Sequence, residues 1–336
     1  MPHDCENSPL PSRRAALASL LAVPLAGCLG SDASKGQFVA RLGGDRLAND
    51  PVLHIATTRK LAAGGHRSPF FDASRSASLS YARAQLDAPD PSMLGRIGAL
   101  VKSDFAVRQV EVQPGDASQA LAEGLRGRNS LLFVHGYNQT FEAAALDAAA
   151  LSDGIGFRGN TVLFSWPSKG GLLDYGYDRE SALIARDPLA DALSAVLNDP
   201  FGSRLHLVAH SMGTLVTLEA LRGYRDRNGD KGLDRLGALV LAAPDIDLDV
   251  FKANLGRLGP LRERMTVITA TNDRALDLSR RLAGGERVGA LPAAAFDGLG
   301  VKVVDATEFA TGLVRHDAFV ANADVRAVIR RAVERA

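Results

Sequence analysis

The chain has 336 residues, 46% of them hydrophobic, and its 39 Lys and Arg against 38 Asp and Glu leave a formal net charge of +1. So even a balance excludes the broad basic footprint of a nucleic-acid binder or of a protein held on an anionic membrane by charge. The two cysteines, Cys5 and Cys28, both lie near the N-terminus. The rest of the chain therefore has no disulfide framework and no cysteine metal site, and its core must hold it together.

Residues 1–27 are expected to be an export signal. Ser12-Arg13-Arg14 is a charged start with an arginine pair, like that of a twin-arginine signal, and Ala15 to Leu25 is an apolar run too short to span a bilayer. Leu25-Ala26-Gly27-Cys28 resembles the bacterial lipoprotein processing box, with small residues before the cysteine. On this expectation Cys28 becomes the mature N-terminus and carries lipid. The protein would then be anchored in the cell envelope, at the periplasmic face of a bacterial membrane, by that lipid alone. Residues 28–50 are expected to be a tether; Gly30 to Lys35 is small and polar. Residues 51–336 are expected to form one domain.

Within that domain Pro51 to Thr58 reads as a first strand, followed by a loop marked by Gly64-Gly65 and Ser68-Pro69. Ser78 to Leu86 and Phe105 to Val112 alternate apolar and polar residues and read as strands. Ser118 to Leu125 reads as a helix. Strands are then expected at Leu131–Val134, Thr161–Ser165, Leu205–Ala209, Leu236–Ala242, Met265–Ala270 and Val301–Val304. Helices are expected in the gaps, at Phe141–Leu151, Pro188–Leu197 and Asp324–Val333 among others. This alternation predicts an α/β fold with a mostly parallel central sheet and helices on both faces. The early alternating strands would form an antiparallel edge. The connection from Pro244 to Met265 is too short for a large lid.

The segment Leu205 to Leu215 carries the most chemical information. A short apolar strand stops at His210-Ser211-Met212 and a helix begins at once, the layout of a nucleophile elbow. The turn is tight, so the residues two before and two after the serine must be small, as Ala209 and Gly213 are. Ser211 sits at a helix N-terminus, where backbone N–H groups favour a developing negative charge. A serine hydroxyl needs a base, and in this arrangement the order along the chain is serine, acid, histidine. Of seven histidines only His316 follows Ser211, so it is the expected base. The expected acid is Asp273, after the strand Met265–Ala270; Asp245, one strand earlier, is the alternative. Either aspartate could instead be a helix or turn cap. The strand ending at Val134 runs into His135-Gly136-Tyr137, so the N–H groups of Tyr137 and Met212 are the expected oxyanion donors. His135 and His210 read as packing and hydrogen-bonding residues. Trp166, the single tryptophan, either lines a substrate pocket or plugs the end of its strand.

Several separated motifs occur in one order: Ile55-Ala56-Thr57-Thr58-Arg59, Phe133-Val134-His135-Gly136-Tyr137-Asn138, Leu163-Phe164-Ser165-Trp166-Pro167-Ser168, Tyr177-Asp178-Arg179-Glu180-Ser181-Ala182 and Ala209-His210-Ser211-Met212-Gly213. Leu241-Ala242-Ala243-Pro244-Asp245-Ile246-Asp247, Asn272-Asp273-Arg274-Ala275-Leu276 and His316 complete the series. From Pro51 onward the chain resembles a bacterial family of α/β-hydrolases of unassigned function, the esterase/lipase superfamily proteins. The resemblance implies a single α/β-hydrolase domain with Ser211 as nucleophile, His316 as base and an aspartate from one of the two sites. The expected activity is hydrolysis of a carboxylic ester or thioester, from a small molecule or a lipid, through an acyl-serine. No metal or organic cofactor is expected, because no His/Asp/Cys cluster has ligand spacing. The competing expectation is a binding or scaffold lipoprotein that kept the fold and lost useful turnover. A nucleotide-binding reading is poor, since no phosphate-binding glycine loop follows an early strand.

Overall fold

Short runs of apolar and β-branched residues become the strands of the sheet, fully buried at its centre and partly exposed at its last strand. Seven such runs are β1 (Val52–Leu61), β4 (Ser130–Val134), β5 (Asn160–Ser165), β6 (Leu205–His210), β7 (Leu236–Ala242), β8 (Met265–Thr269) and β9 (Lys302–Asp305). With β2 (Phe71–Asp87) and β3 (Ala106–Gln113) they form a nine-stranded sheet in the order β3-β2-β1-β5-β4-β6-β7-β8-β9. The pairings from β1 to β9 are parallel, whereas β1–β2 and β2–β3 are antiparallel, so the early strands do form the antiparallel edge. This computed structural model describes residues 51–63, 68–87, 105–171, 173–308 and 322–336. The expected signal, tether and Cys28, and the expected base His316, lie outside the described residues.

Every residue of β4, β6, β7 and β8 is buried, the mark of strands covered on both faces. The period of two divides their side chains between two cores. Leu132, Val134, Phe164 and Leu207 belong to one; Leu131, Phe133, Leu163 and Val208 belong to the other. The first core takes its covering side chains from α1 (Ala117–Gly124), α3 (Tyr175–Asn198), α4 (Gly213–Asn228) and α5 (Leu248–Leu258). The second takes them from α2 (Phe141–Gly154) and α7 (Ala323–Glu334). A seventh helix, α6 (Arg274–Ala283), follows β8. The Pro244–Met265 connection holds α5 and a short 3₁₀ turn over Gly259–Arg264.

Two elements depart from the sequence expectation. β2 starts at Phe71, seven residues before Ser78, because Phe71 is buried against the Phe141 ring, 4.8 Å between centroids. That contact is long-range and leaves no alternation in the sequence. α3 starts at Tyr175, not Pro188, and Pro188 lies inside it. A proline removes a helix donor and displaces the carbonyl four residues back, which belongs to the half-exposed Ile184. Water can take that carbonyl, while Ala182, Ala185, Leu189 and Leu193 keep the opposite face buried across the proline.

Candidate active site

The carboxyl ends of β4 to β8 bring together the turns that follow them, the usual ligand-binding edge of a parallel sheet. At its centre, between β6 and α4, Ser211 has φ of +51°, a left-handed conformation that a non-glycine residue adopts at a cost of about 1–2 kcal/mol. Hydrogen bonds hold it there. Ser211 N–H donates to the Ala242 carbonyl at 3.0 Å, and the Ser211 carbonyl accepts from Thr214 N–H, Thr214 Oγ1 and Asp245 N–H at 3.0, 2.7 and 3.2 Å. The small neighbours are required. A Cβ on Gly213 would lie 2.3 Å from the His135 carbonyl oxygen and 2.6 Å from that of Val134. The helix start is thus pressed onto the end of β4, and Ala209 is fully buried.

The turn after β4 faces this serine. A Cβ on Gly136 would come within 2.8 Å of Ser211 Cβ and 2.9 Å of His210 Nδ1, so only glycine lets the two backbones approach this closely. Tyr137 follows at once, and Met212 is the residue that opens α4. The two expected oxyanion donors therefore belong to the two turns that meet at Ser211. Ser211 itself is only 2% exposed, so it lies beneath the surrounding turns. Two more left-handed residues, Asn138 (φ +59°) and Ala243 (φ +45°), belong to neighbouring turns on the same edge.

The two aspartates sit differently. Asp245 is buried, and both its oxygens are engaged: Ser279 Oγ donates to Oδ1 at 2.5 Å and Tyr175 OH to Oδ2 at 3.2 Å. The buried guanidinium of Arg287 is ion-paired with it at 3.5 Å. Asp273 is also buried and caps α6, its Oδ1 accepting from Ala275 and Leu276 N–H at 2.9 and 3.2 Å. The chain leaving β9 is tied to the same turn, for Thr307 Oγ1 accepts from Thr271 N–H at 3.0 Å and the Thr307 carbonyl accepts from Asn272 Nδ2 at 3.0 Å. Residues 309–321, which include His316, follow directly and lie outside the described residues.

Histidines 54, 135 and 206 are unsuited to act as bases. Burial, with help from Arg59, pushes His135 down to about 3. Its Nε2 accepts from Trp166 N–H at 3.1 Å, so Nδ1 carries the proton and donates to the Gly136 carbonyl at 2.8 Å. Burial also lowers His54 and His206 to about 4 each, with neighbouring arginines adding to the effect. Trp166 is fully buried, stacks on His135 at 4.9 Å and 7°, and donates Nε1–H to the His135 carbonyl at 2.8 Å. It plugs the end of β5.

Sequence reasoning assigned no role to a polar clamp that holds the turn after β4. Arg59, fully buried at the end of β1, donates Nε–H to Ser165 Oγ (2.9 Å), Nη1–H to the Ser168 carbonyl (2.9 Å) and Nη2–H to the Gln139 carbonyl (2.8 Å). Burial lowers its guanidinium to about 10. Asp178, in the first turn of α3, accepts from Ser168 Oγ at 2.5 Å, Lys169 N–H at 2.9 Å and Asn138 N–H at 3.2 Å. Ser168 Oγ in turn accepts from Gln139 N–H at 2.9 Å. Burial raises the Asp178 carboxyl, and these donors pull it back down. The turns after β4 and β5 are thus joined through two buried charges. The available signal was an arginine inside an otherwise buried strand, since a fully buried charge must be satisfied by partners.

A family match agrees with this architecture. Residues 115–332, well over half of the chain, match the family described as "alpha/beta hydrolase of unknown function" (DUF900). An uncharacterized protein of Nostoc sp., alr1448, is 26% identical over 119 residues, which span 28% of this chain and 31% of that protein. Solved structures with similarity include a predicted CIB-like hydrolase from Thermoplasma acidophilum (13% identity, 75% of this chain and 93% of that one, TM-score 0.36). A Trichoderma reesei cutinase also matches (13%, 64% and 88%, TM-score 0.33), as does Est1E from Butyrivibrio proteoclasticus (10%, 76% and 96%, TM-score 0.37). The fold assignment rests on the family match and the observed sheet. With a parallel sheet wound on both faces, a left-handed serine where β6 turns into α4, and a family match covering most of the domain, the chain belongs to the α/β-hydrolase family of unknown function.

Proposed function

We propose that this α/β-hydrolase cleaves a carboxylic ester or thioester through an acyl intermediate on Ser211. The observation that carries the reading is the left-handed Ser211, held at the start of α4 with the Gly136 backbone against its Cβ. A nucleophile so placed attacks an acyl carbon whose oxygen turns toward the two adjoining turns, and the N–H groups of Tyr137 and Met212 would stabilise the developing oxyanion. His316 would take the Ser211 proton, return it to the leaving alcohol or thiol, and then activate water to release the acid. Asp273 would orient the imidazole and stabilise its charged form. The tie between its turn and the chain that leads toward His316 supports this choice. The full engagement of Asp245 by Tyr175, Ser279 and Arg287 supports a structural part for the alternative.

A fluorophosphonate probe tests the reading. The wild-type protein is expected to be labelled at Ser211, and Ser211→Ala to abolish both labelling and turnover of short p-nitrophenyl esters. His316→Ala is expected to slow both by several orders of magnitude, on the order of 10⁴ or more. Labelling that persists in the alanine variant at 211 would overturn the assignment.

A further inference from the structure

The opposite end of the sheet carries a second concavity. A cleft of about 470 Å³ opens where β6, β7, β8 and β9 begin, beside the last turns of α7. Its volume lies within the range of small-molecule sites, roughly 300–1,000 Å³. Arg204, Arg264, Lys302, Arg331 and Arg335 line it, against a single acidic side chain, Glu263. Among the described residues none of the five is ion-paired with an Asp or Glu side chain. Helix-end electrostatics does not account for the cluster. Arg331 and Arg335 complement the C-terminal dipole of α7, but Arg204, Arg264 and Lys302 stand at strand starts. Two of the cations are engaged, Arg264 donating to the Leu233 and Leu236 carbonyls and Arg204 to the main-chain carboxylate of Ala336, which also lines the cleft. The other three project from the rim and are exposed. The floor is apolar, with Leu236, Val304 and Val328.

We infer that this cleft is a second binding site, for a monomeric amphipathic anion: a phosphate or carboxylate head on the cationic rim and a hydrocarbon stem on the apolar floor. The pairing of an exposed cationic rim, Lys302, Arg331 and Arg335, with an apolar floor selects such a molecule over a simple ion or a neutral lipid. The concavity selects a monomer over the flat surface of a bilayer. The site lies a strand's length from Ser211, roughly 20 Å at the rise of a β-strand, so it is separate from the ester site. It stands whether or not Ser211 is a nucleophile.

The test is equilibrium dialysis of the full chain with radiolabelled 1-lauroyl lysophosphatidate below its micelle concentration. Monolaurin and inorganic phosphate serve as the neutral and headgroup-only arms. Saturable binding of lysophosphatidate that weakens with added salt is expected, with weak or no binding in the other two arms. The triple variant Lys302→Glu, Arg331→Glu, Arg335→Glu changes only exposed side chains and is expected to lose at least about tenfold in affinity, keeping its circular dichroism and its ester turnover. Val328→Gln, which makes the floor polar, is expected to weaken lysophosphatidate and leave phosphate unchanged, and it keeps the test informative if the triple variant does not fold. The inference is overturned by equal affinity in both variants, by monolaurin or phosphate binding as tightly as lysophosphatidate, or by retention on phosphatidylglycerol vesicles without binding of the monomer.

Discussion

Asp245 and Asp273 show how two identical side chains that each follow a parallel strand come to lie in different surroundings. Both follow a parallel strand and both are buried. Asp245 shares a buried cluster with Tyr175, Ser279 and Arg287, and its N–H holds the Ser211 carbonyl. Asp245→Asn leaves Arg287 as an uncompensated buried charge, which costs about 3 kcal/mol. The expected outcome is a lowered urea midpoint with kcat close to wild type under folding conditions. Asp273→Asn keeps an oxygen to cap α6, since asparagine caps a helix as well as aspartate. Its stability is therefore expected to be nearly unchanged, while kcat falls about 10⁴-fold because the imidazole loses its orienting charge. Chemical denaturation and steady-state kinetics on the two variants distinguish these roles, and the reverse pattern would exchange them.

At the scale of elements, the site depends on how the turns after β4, β5 and β6 are held. The β6–α4 elbow is held directly: four hydrogen bonds to Ser211 counter its strain, two with Thr214 and two with the end of β7 and the turn after it. The turn after β4 is not. It has Gly136, a left-handed Asn138 and no regular structure before α2, and the Arg59–Ser168–Asp178 clamp anchors it from below. Asp178→Asn replaces one acceptor oxygen with an NH₂ group, so at least one of its three donors loses its partner. The expected result is a fall in kcat of roughly 10–100-fold with KM little changed, because positioning in the transition state is lost and substrate contact is not. Faster hydrogen exchange at the Asn138 amide should accompany it. A change in KM alone would show that the clamp shapes a substrate pocket instead of positioning the turn after β4.

At the scale of the whole molecule, three histidines that burial holds neutral oppose stability in acid. Burial lowers His54, His135 and His206 to about 4, 3 and 4 in the folded protein, from about 6.5 when unfolded. Between these values the unfolded chain binds more protons than the native one, so stability falls as pH falls. Above pH 6.5 the contribution is constant; below it each histidine removes up to about 1.4 kcal/mol per pH unit until its folded value is reached. The raised carboxyl of Asp178 opposes this trend only where it too binds a proton. Thermal midpoints followed by circular dichroism from pH 7.5 to 4.5 are expected to be flat above about 6.5 and to drop steeply below it. A flat profile down to pH 4.5 would mean that these side chains are not buried in neutral form. The same scale explains the cationic cleft: a net charge of +1 records only the sum, and five cations gathered at one end of a sheet leave it unchanged.

The architecture was legible in the sequence because it is built from local periodicities. Apolar runs at the length of a strand, separated by helix-length segments, predicted the parallel sheet, and early alternation predicted its antiparallel edge. The elbow was legible for the same reason: strand, serine, small residues and helix are contiguous, and Ser211 has the left-handed backbone that the tight turn requires. What the tertiary structure alone decided involves partners distant along the chain. The extension of β2 depends on Phe141, the continuation of α3 through Pro188 on the core beneath it, and the place of Trp166 on His135. The clamp joins residues 59, 139, 168 and 178, and the basic cleft joins strand starts to a C-terminal helix. Local sequence specifies φ, ψ and burial period, but which buried charge meets which carbonyl depends on the register of strands and the docking of helices, and these exist only after the chain has folded.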